Sequence, residues 1–185
     1  MSRSRIYTRK GDTGTCQLIG GMRVPKDDPR VECYGDYDEG CSLVGLLRVK
    51  LGLDHAWQNR LQTLQKDLMA LMTVLATPEA FQEEYPFDPQ RTDELESWID
   101  ELEGELESKS KSFLLPGGCE TSALAHMLRT VFRRAERRMA TVHRDTPVPA
   151  PALSFGNRLS DFFFLFARSE LHRCKIPEEA WKNFG

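Results

Sequence analysis

Residues 54–76 read Asp-His-Ala-Trp-Gln-Asn-Arg-Leu-Gln-Thr-Leu-Gln-Lys-Asp-Leu-Met-Ala-Leu-Met-Thr-Val-Leu-Ala. Within them Trp57, Leu61, Leu64, Leu68, Leu71 and Leu75 recur at spacings of four, three, four, three and four. With about 3.6 residues per turn, that spacing places all six on one face of an α-helix. Such a stripe is stable only when it is buried against another element, so the stretch predicts a helix packed among helices.

The flanking sequence extends the pattern. Asp28-Pro29 predicts a helix start, with Asp28 as N-cap and Pro29 at the first helical position. That helix runs to Leu51, with Gly52 as its stop. Gly35, Gly40 and Gly45 lie inside it. Each costs about 1 kcal/mol relative to Ala in an exposed helix, so they signal close packing or close backbone approach. Residues 77–90 contain Pro78, Pro86 and Pro89 and read as a loop. An acidic third helix is predicted over 92–107, with Leu95, Trp98, Ile99, Leu102 and Leu106 facing inward. Residues 108–119 read as a connector. A fourth helix follows to His143, with Leu124, Leu128, Val131, Ala135 and Val142 on its inner side. Pro147, Pro149 and Pro151 mark a loop, and a last helix spans 152–173. No strong strand signal occurs, although residues 7–28 fit an ordered loop or a short hairpin. The expectation is an all-α, five-helix bundle in one domain: an N-terminal loop (1–28), the bundle (29–176) and a tail (177–185).

Composition narrows the function. The chain has 185 residues, 40% of them hydrophobic and 29% charged, with a net charge of −3. The molecule as a whole therefore favours neither nucleic acid nor membrane, and any anion site must be a local cluster. The five cysteines are odd in number, widely spaced and without a CxxC pair, which argues against a disulfide framework and a structural zinc site. No apolar run approaches the ~20 residues needed to span a bilayer, and no signal-peptide pattern is seen. The expected location is a reducing cytoplasm.

Four groups of residues carry chemistry. Thr8, Arg9, Lys10, Gly11, Asp12, Gly14 and Thr15 form a glycine, hydroxyl and cation loop that can wrap a polyphosphate. It is neither a Walker A loop nor a dinucleotide fingerprint, and taken alone such a loop is more often only a turn. Arg23 and Lys26 add positive charge just downstream, or are ordinary surface charge. On the fourth helix, Arg129, Arg133, Arg134, Arg137 and Arg138 fall within ten residues, offset only by Glu136. Such a row repels itself unless anions neutralise it. The competing reading is a solvated face paired with the acidic third helix. On the last helix Asn157 and Asp161 share a face on an otherwise apolar segment, either as a site or as a structural hydrogen bond. Early in the first helix, Asp36, Asp38 and Glu39 could orient an arginine, or serve the helix N-terminus. The four histidines are scattered, with no HxxxH or HExxH spacing, which argues against zinc chemistry.

Taken together and in order, these blocks resemble the PduO-type ATP:cob(I)alamin adenosyltransferases. The matching segments are Tyr7 to Thr15, Lys26-Asp27-Asp28, Asp38-Glu39, Phe113 to Gly118, Arg129 to Arg137, and Asn157 to Phe164. The resemblance implies a five-helix bundle assembled as a homotrimer. Its active sites would lie between subunits, with the loop from one and the arginine helix from the next. It implies transfer of the 5′-deoxyadenosyl group of ATP to the cobalt of cob(I)alamin, giving adenosylcobalamin and triphosphate. Mg²⁺ would arrive on ATP rather than on a set of protein side chains. The loop residues, Arg23, Lys26, Arg129, Arg133, Glu136, Arg137 and Asn157 would bind ATP. Arg129, Arg133, Asn157 and Asp38 would carry catalysis, with Asp38 and Asp161 orienting arginines. Phe113, Asp161, Phe162 and Phe184 would meet cobalamin, Phe113 by blocking the lower face of the corrin. A flavin-type reductase and a cobalamin-dependent acceptor enzyme are implied as partners.

The chain departs from the family pattern at Gly40, where a packing Leu is usual and a looser helix is expected. It departs also at Cys41, Met22 and Cys119. Two other functions compete: a protein that binds ATP and corrinoid to sense or deliver adenosylcobalamin with little turnover, and a helical oligomer with no ligand.

Overall fold

The Asp28 carboxylate accepts a hydrogen bond from the Arg30 N–H at 2.9 Å, and Pro29 supplies a backbone already set for the first turn. Helix α1 (Pro29–Leu51) begins there and stops before Gly52, whose φ is 82°. This computed structural model describes residue 7, residues 9–106 and residues 113–181, and in it the other four helices begin without a side-chain cap hydrogen bond. Helix α2 is Gln58–Leu75, α3 Gln90–Glu105, α4 Glu120–Asp145 and α5 Ala150–Arg173. Helix α2 begins four residues later than the expected 54, because residues 54–57 form a turn in which His55 Nδ1 accepts the Trp57 N–H at 3.3 Å. The proline-marked loop holds a 3₁₀ turn, Glu79–Glu84.

Strands β1 (Thr15–Gln17) and β2 (Arg23–Pro25) pair antiparallel, with Cys16 opposite Val24. This hairpin qualifies the all-α expectation. Among the described residues the rest of the regular structure is helical.

The stripe on α2 is buried along its whole length, from Trp57 to Leu75. Helix α1 packs on α2 and on α4, α4 packs on α5, and α5 packs on α3. Just ahead of α2, the Trp57 ring closes one end of the core. It meets Trp98 edge-on at 6.4 Å, Phe166 edge-on at 5.7 Å and Phe162 at 5.7 Å. The Arg60 guanidinium lies over the same ring at 4.6 Å.

Gly40 does not loosen α1. A Cβ built there would lie 2.5 Å from Cε1 of Phe132, so the missing side chain is replaced by an α4 ring packed directly on the backbone. That ring in turn stacks on Phe163 at 5.4 Å. Gly40→Ala is therefore expected to cost about 1–3 kcal/mol through overpacking. A thermal melt would read this as a lowered midpoint, and Phe132→Leu in the same chain should restore part of the loss.

Candidate active site on the α4–α5 edge

The α4 arginines divide into two sets. Arg134 and Arg138 point at α1. Nε of each lies 3.2 Å from an Asp36 carboxylate oxygen, and they also pair with Glu39 and Glu32 respectively. Asp36 is only 6% exposed, so both guanidinium groups converge on a nearly buried charge. These pairs tie α4 to α1. The acidic α3 takes other partners: Glu96 holds Arg158, Glu101 holds Arg60 and Glu105 lies near Arg173. The alternative of an arginine row neutralised by the third helix is thus replaced by pairing to the first.

Arg129, Arg133 and Arg137 recur every four residues and form the second set. None has a carboxylate within ion-pair distance among the described residues. Arg137 donates to the Arg133 carbonyl at 2.9 Å. Arg129 Nε is buried with no partner among the described residues. Desolvation first, and then the Arg133 charge, lower the pKa of its guanidinium. Two cations held together on a partly dry edge are the arrangement a polyanion relieves.

From α5, Asn157 donates to Glu136 at 2.7 Å and accepts from Arg158 at 2.5 Å, which fixes its amide beside the row. Asp161 lies on the same open strip, one turn on. Partial desolvation raises its carboxyl pKa, opposed by Arg158 and Arg133 and assisted by Glu136. No ion pair ties Asp161 or the exposed Asp38 to an arginine among the described residues; Asp36, Glu39 and Glu32 are the α1 carboxylates that hold arginines, and those are Arg134 and Arg138. The helical stripe carried this signal: Asp36 lies beside the buried line Cys33, Tyr37, Gly40 and Val44, and Asp38 lies away from it. Phe162 is a further correction. It is fully buried among Trp57, Trp98, Phe163 and Phe166 and presents no surface to a ligand.

The N-terminal loop rests on other supports. Leu18 and Ile19 lead the hairpin to the end of α2, where the Ile19 N–H meets the Ala76 carbonyl at 3.1 Å. Gly20 lies against the Phe81 ring. Cys16 Sγ lies 4.0 Å from the Tyr34 hydroxyl on α1. Arg9 has a φ of 60°, a left-handed backbone rare outside glycine, and Gly14 has a φ of 79°. Arg23 donates to the Lys10 carbonyl at 2.6 Å and to the Thr15 hydroxyl, bracing the loop from its far strand. The Lys26 N–H meets the Gly14 carbonyl at 2.9 Å, and the Lys26 side chain lies alongside Gly11. Arg9, Lys10, Asp12, Arg23 and Lys26 are all exposed. Thr8 and Phe184 lie outside the described residues.

Phe113, within the connector, stands 80% exposed. Deeper on α4, His126 is 3% exposed, and Nδ1 of its ring has no partner among the described residues. The ring meets Phe164 edge-on at 6.3 Å. Desolvation, then the Arg129 charge, lower its pKa from the ordinary 6.5. The folded chain thus keeps this ring neutral where the unfolded chain takes up a proton. The resulting stability is present above about pH 6.5 and is lost as the pH falls below it. His126→Gln is expected to flatten the acid side of a plot of thermal midpoint against pH, between about pH 7.5 and 5.5. An unchanged slope would show that other groups set that limb.

The chain is thus a helical bundle with an arginine row that has no carboxylate partner among the described residues, a fixed amide beside it, and a cationic glycine loop at its N-terminal side. Residues 6–170 match the family model described as cobalamin adenosyltransferase, and the chain belongs to that family. Corrinoid adenosyltransferase PduO of Salmonella typhimurium is 35% identical over 97% of this chain and 54% of its own length, so the chain spans about half of that relative. The corrinoid adenosyltransferase of Bacillus subtilis is 36% identical, covering 97% of this chain and 93% of that one. Among solved structures, a variant PduO-type ATP:corrinoid adenosyltransferase from Lactobacillus reuteri, complexed with cobalamin and ATP, matches with a TM-score of 0.88. The two are 35% identical over 97% of this chain and 100% of that chain. No helix among the described residues is long and apolar enough to cross a membrane.

Proposed function

We propose that this chain transfers the 5′-deoxyadenosyl group of ATP to the cobalt of cob(I)alamin, giving adenosylcobalamin and triphosphate. Family membership and the cobalamin- and ATP-bound neighbour support the reaction. The observation that carries the site is the division of the α4 arginines. Arg134 and Arg138 are spent on α1, while Arg129, Arg133 and Arg137 keep their charge open beside Asn157.

The chemistry needs what that edge offers. Reduced cobalt is itself the nucleophile, so no protein nucleophile or general base is required. The cobalt–C5′ bond forms as the C5′–oxygen bond breaks, and the electron pair leaves with the triphosphate. Cations placed in advance where that charge develops lower the barrier, each by about 3–4 kcal/mol in comparable sites. Arg129, Arg133 and Arg137 supply them from α4, and Arg9, Lys10 and Lys26 from the loop. Arg23 keeps the loop in shape. Asn157, held by Glu136 and Arg158, positions the nucleotide so that C5′ stays in line with cobalt. Mg²⁺ would be carried in with ATP rather than held by a set of protein side chains.

The two cationic clusters rest on different supports, the loop on α1 and α2 and the row on α4 and α5. As the family resemblance implies, the site is completed between copies of the chain, and a closed ring of three gives one site per interface. Work in the cytoplasm beside a flavin-type reductase and a cobalamin-dependent acceptor completes the reading.

The test is anaerobic: purified protein, Mg-ATP and chemically reduced cob(I)alamin, followed by the visible spectrum. Replacement of the cob(I)alamin band by a light-sensitive adenosylcobalamin spectrum is the expected result. ATP-dependent thermal stabilisation without turnover would transfer the assignment to an ATP- and corrinoid-binding protein.

A further inference from the structure

Beyond α5 the chain turns back on itself. Residues 179–181 run antiparallel to residues 113–115: the Leu115 N–H donates to the Glu179 carbonyl at 2.8 Å and the Trp181 N–H to the Phe113 carbonyl at 2.7 Å, with Leu114 opposite Ala180. This register sets Phe113 directly across from Trp181. Their rings meet nearly edge to face, with centroids 6.4 Å apart and planes at 75°. Both segments are tied to the end of α5. Arg168, 5% exposed, grips Glu178 through Nε at 2.5 Å and Nη2 at 3.4 Å. Three residues past the other segment, Gly118 lies so close to Leu171 that a Cβ would come within 2.3 Å of it.

The clasp adds little to the core, because the Phe113 ring is 80% exposed and Trp181 43%. Its effect is to hold a large apolar ring at a set angle on an open surface. Edge-to-face aromatic pairs and cross-strand pairs favour one relative orientation over others. Fixing a surface ring in this way is useful when something flat and apolar must meet it.

We propose that Trp181 is a positioning residue for the corrinoid half of the reaction: its ring sets the angle of Phe113, and the two rings form one apolar wall that keeps the lower ligand and water off cobalt. This rests on the corrinoid reading above and extends it to a residue far from Phe113 in sequence. The wall matters while cobalt is in the +2 state, which binds a lower ligand. It matters little for cob(I)alamin, which has already shed that ligand.

The experiment compares wild type, Trp181→Ala and Trp181→Phe anaerobically with cob(II)alamin and Mg-ATP. Electron paramagnetic resonance reads the fraction of cobalt that has lost its lower ligand. Trp181→Ala is expected to lower that fraction about three- to tenfold, the range one aromatic pair supports. Trp181→Phe should keep most of it. Turnover driven by a reduced flavin from cob(II)alamin should fall in parallel, while transfer from chemically reduced cob(I)alamin stays near the wild-type rate. An unchanged fraction in Trp181→Ala, or an equal loss with cob(I)alamin, would overturn the proposal and leave the tail a purely structural role. Wild-type protein that makes no adenosylcobalamin from either starting state would instead overturn the corrinoid reading itself.

Discussion

Arg133→Ala is expected to slow adenosyl transfer about 100- to 1000-fold while leaving the folded chain intact. The rate effect follows from the leaving group, because removing one preplaced charge or donor from a developing anion costs about 3–4 kcal/mol in comparable active sites. The small stability effect follows from the surroundings. Arg133 is exposed and has no carboxylate in ion-pair range among the described residues, so its loss strands no buried partner. Surface changes of this kind usually stay within about 0.5 kcal/mol. Single-turnover transfer from cob(I)alamin, with a thermal melt alongside, separates the two effects. Arg134→Ala is the contrasting variant: it removes a partner of the nearly buried Asp36 and should lower the melting midpoint. A wild-type rate in Arg133→Ala would remove the triphosphate role from α4, and a collapsed midpoint would make Arg133 structural.

Phe162→Ala is expected to cost about 3–5 kcal/mol of stability, the usual consequence of emptying a buried aromatic site. The ring has no exposed surface and touches Trp57, Trp98, Phe163 and Phe166. In a chain of this size such a loss lowers the midpoint by roughly 6–20 °C. Phe162→Leu should recover much of it, because it restores most of the volume. Any protein that remains folded should keep its apparent affinity for corrinoid. A variant that melts like wild type yet binds corrinoid poorly would return Phe162 to the ligand site.

These two residues illustrate different degrees of legibility. Arg133 belongs to a row that helical spacing alone places on one face with Arg129 and Arg137. Phe162 begins a run of three phenylalanines, residues 162–164, and composition does not say which of them faces inward. The packing of α5 between α3 and α4 decides it: Phe162 and Phe163 are buried, and Phe164 lies at the edge, against His126 and Arg168. Asp36 and Asp38 are two residues apart and thus about 200° apart around α1. Only the first reaches the α4 arginines. Gly40 looked like a defect in a helix because its neighbour Phe132 lies 92 positions away in the chain.

What the amino-acid sequence determined by itself is whatever depends on near neighbours. Asp28 and Pro29 start α1 through their own side chains, and Gly52 ends it. The periodic leucines of α2 specify its buried face. The order of the motifs identifies the family. Tertiary structure alone decided which charges are used up and which stay open. Asp36, Glu39 and Glu32 consume Arg134 and Arg138 only because α1 and α4 pack antiparallel. Phe113 meets Trp181 only because the tail returns past the end of α5. The physical reason is range: capping and periodicity act within a turn or two of the chain, whereas ion pairing and ring contacts depend on where distant segments are brought together.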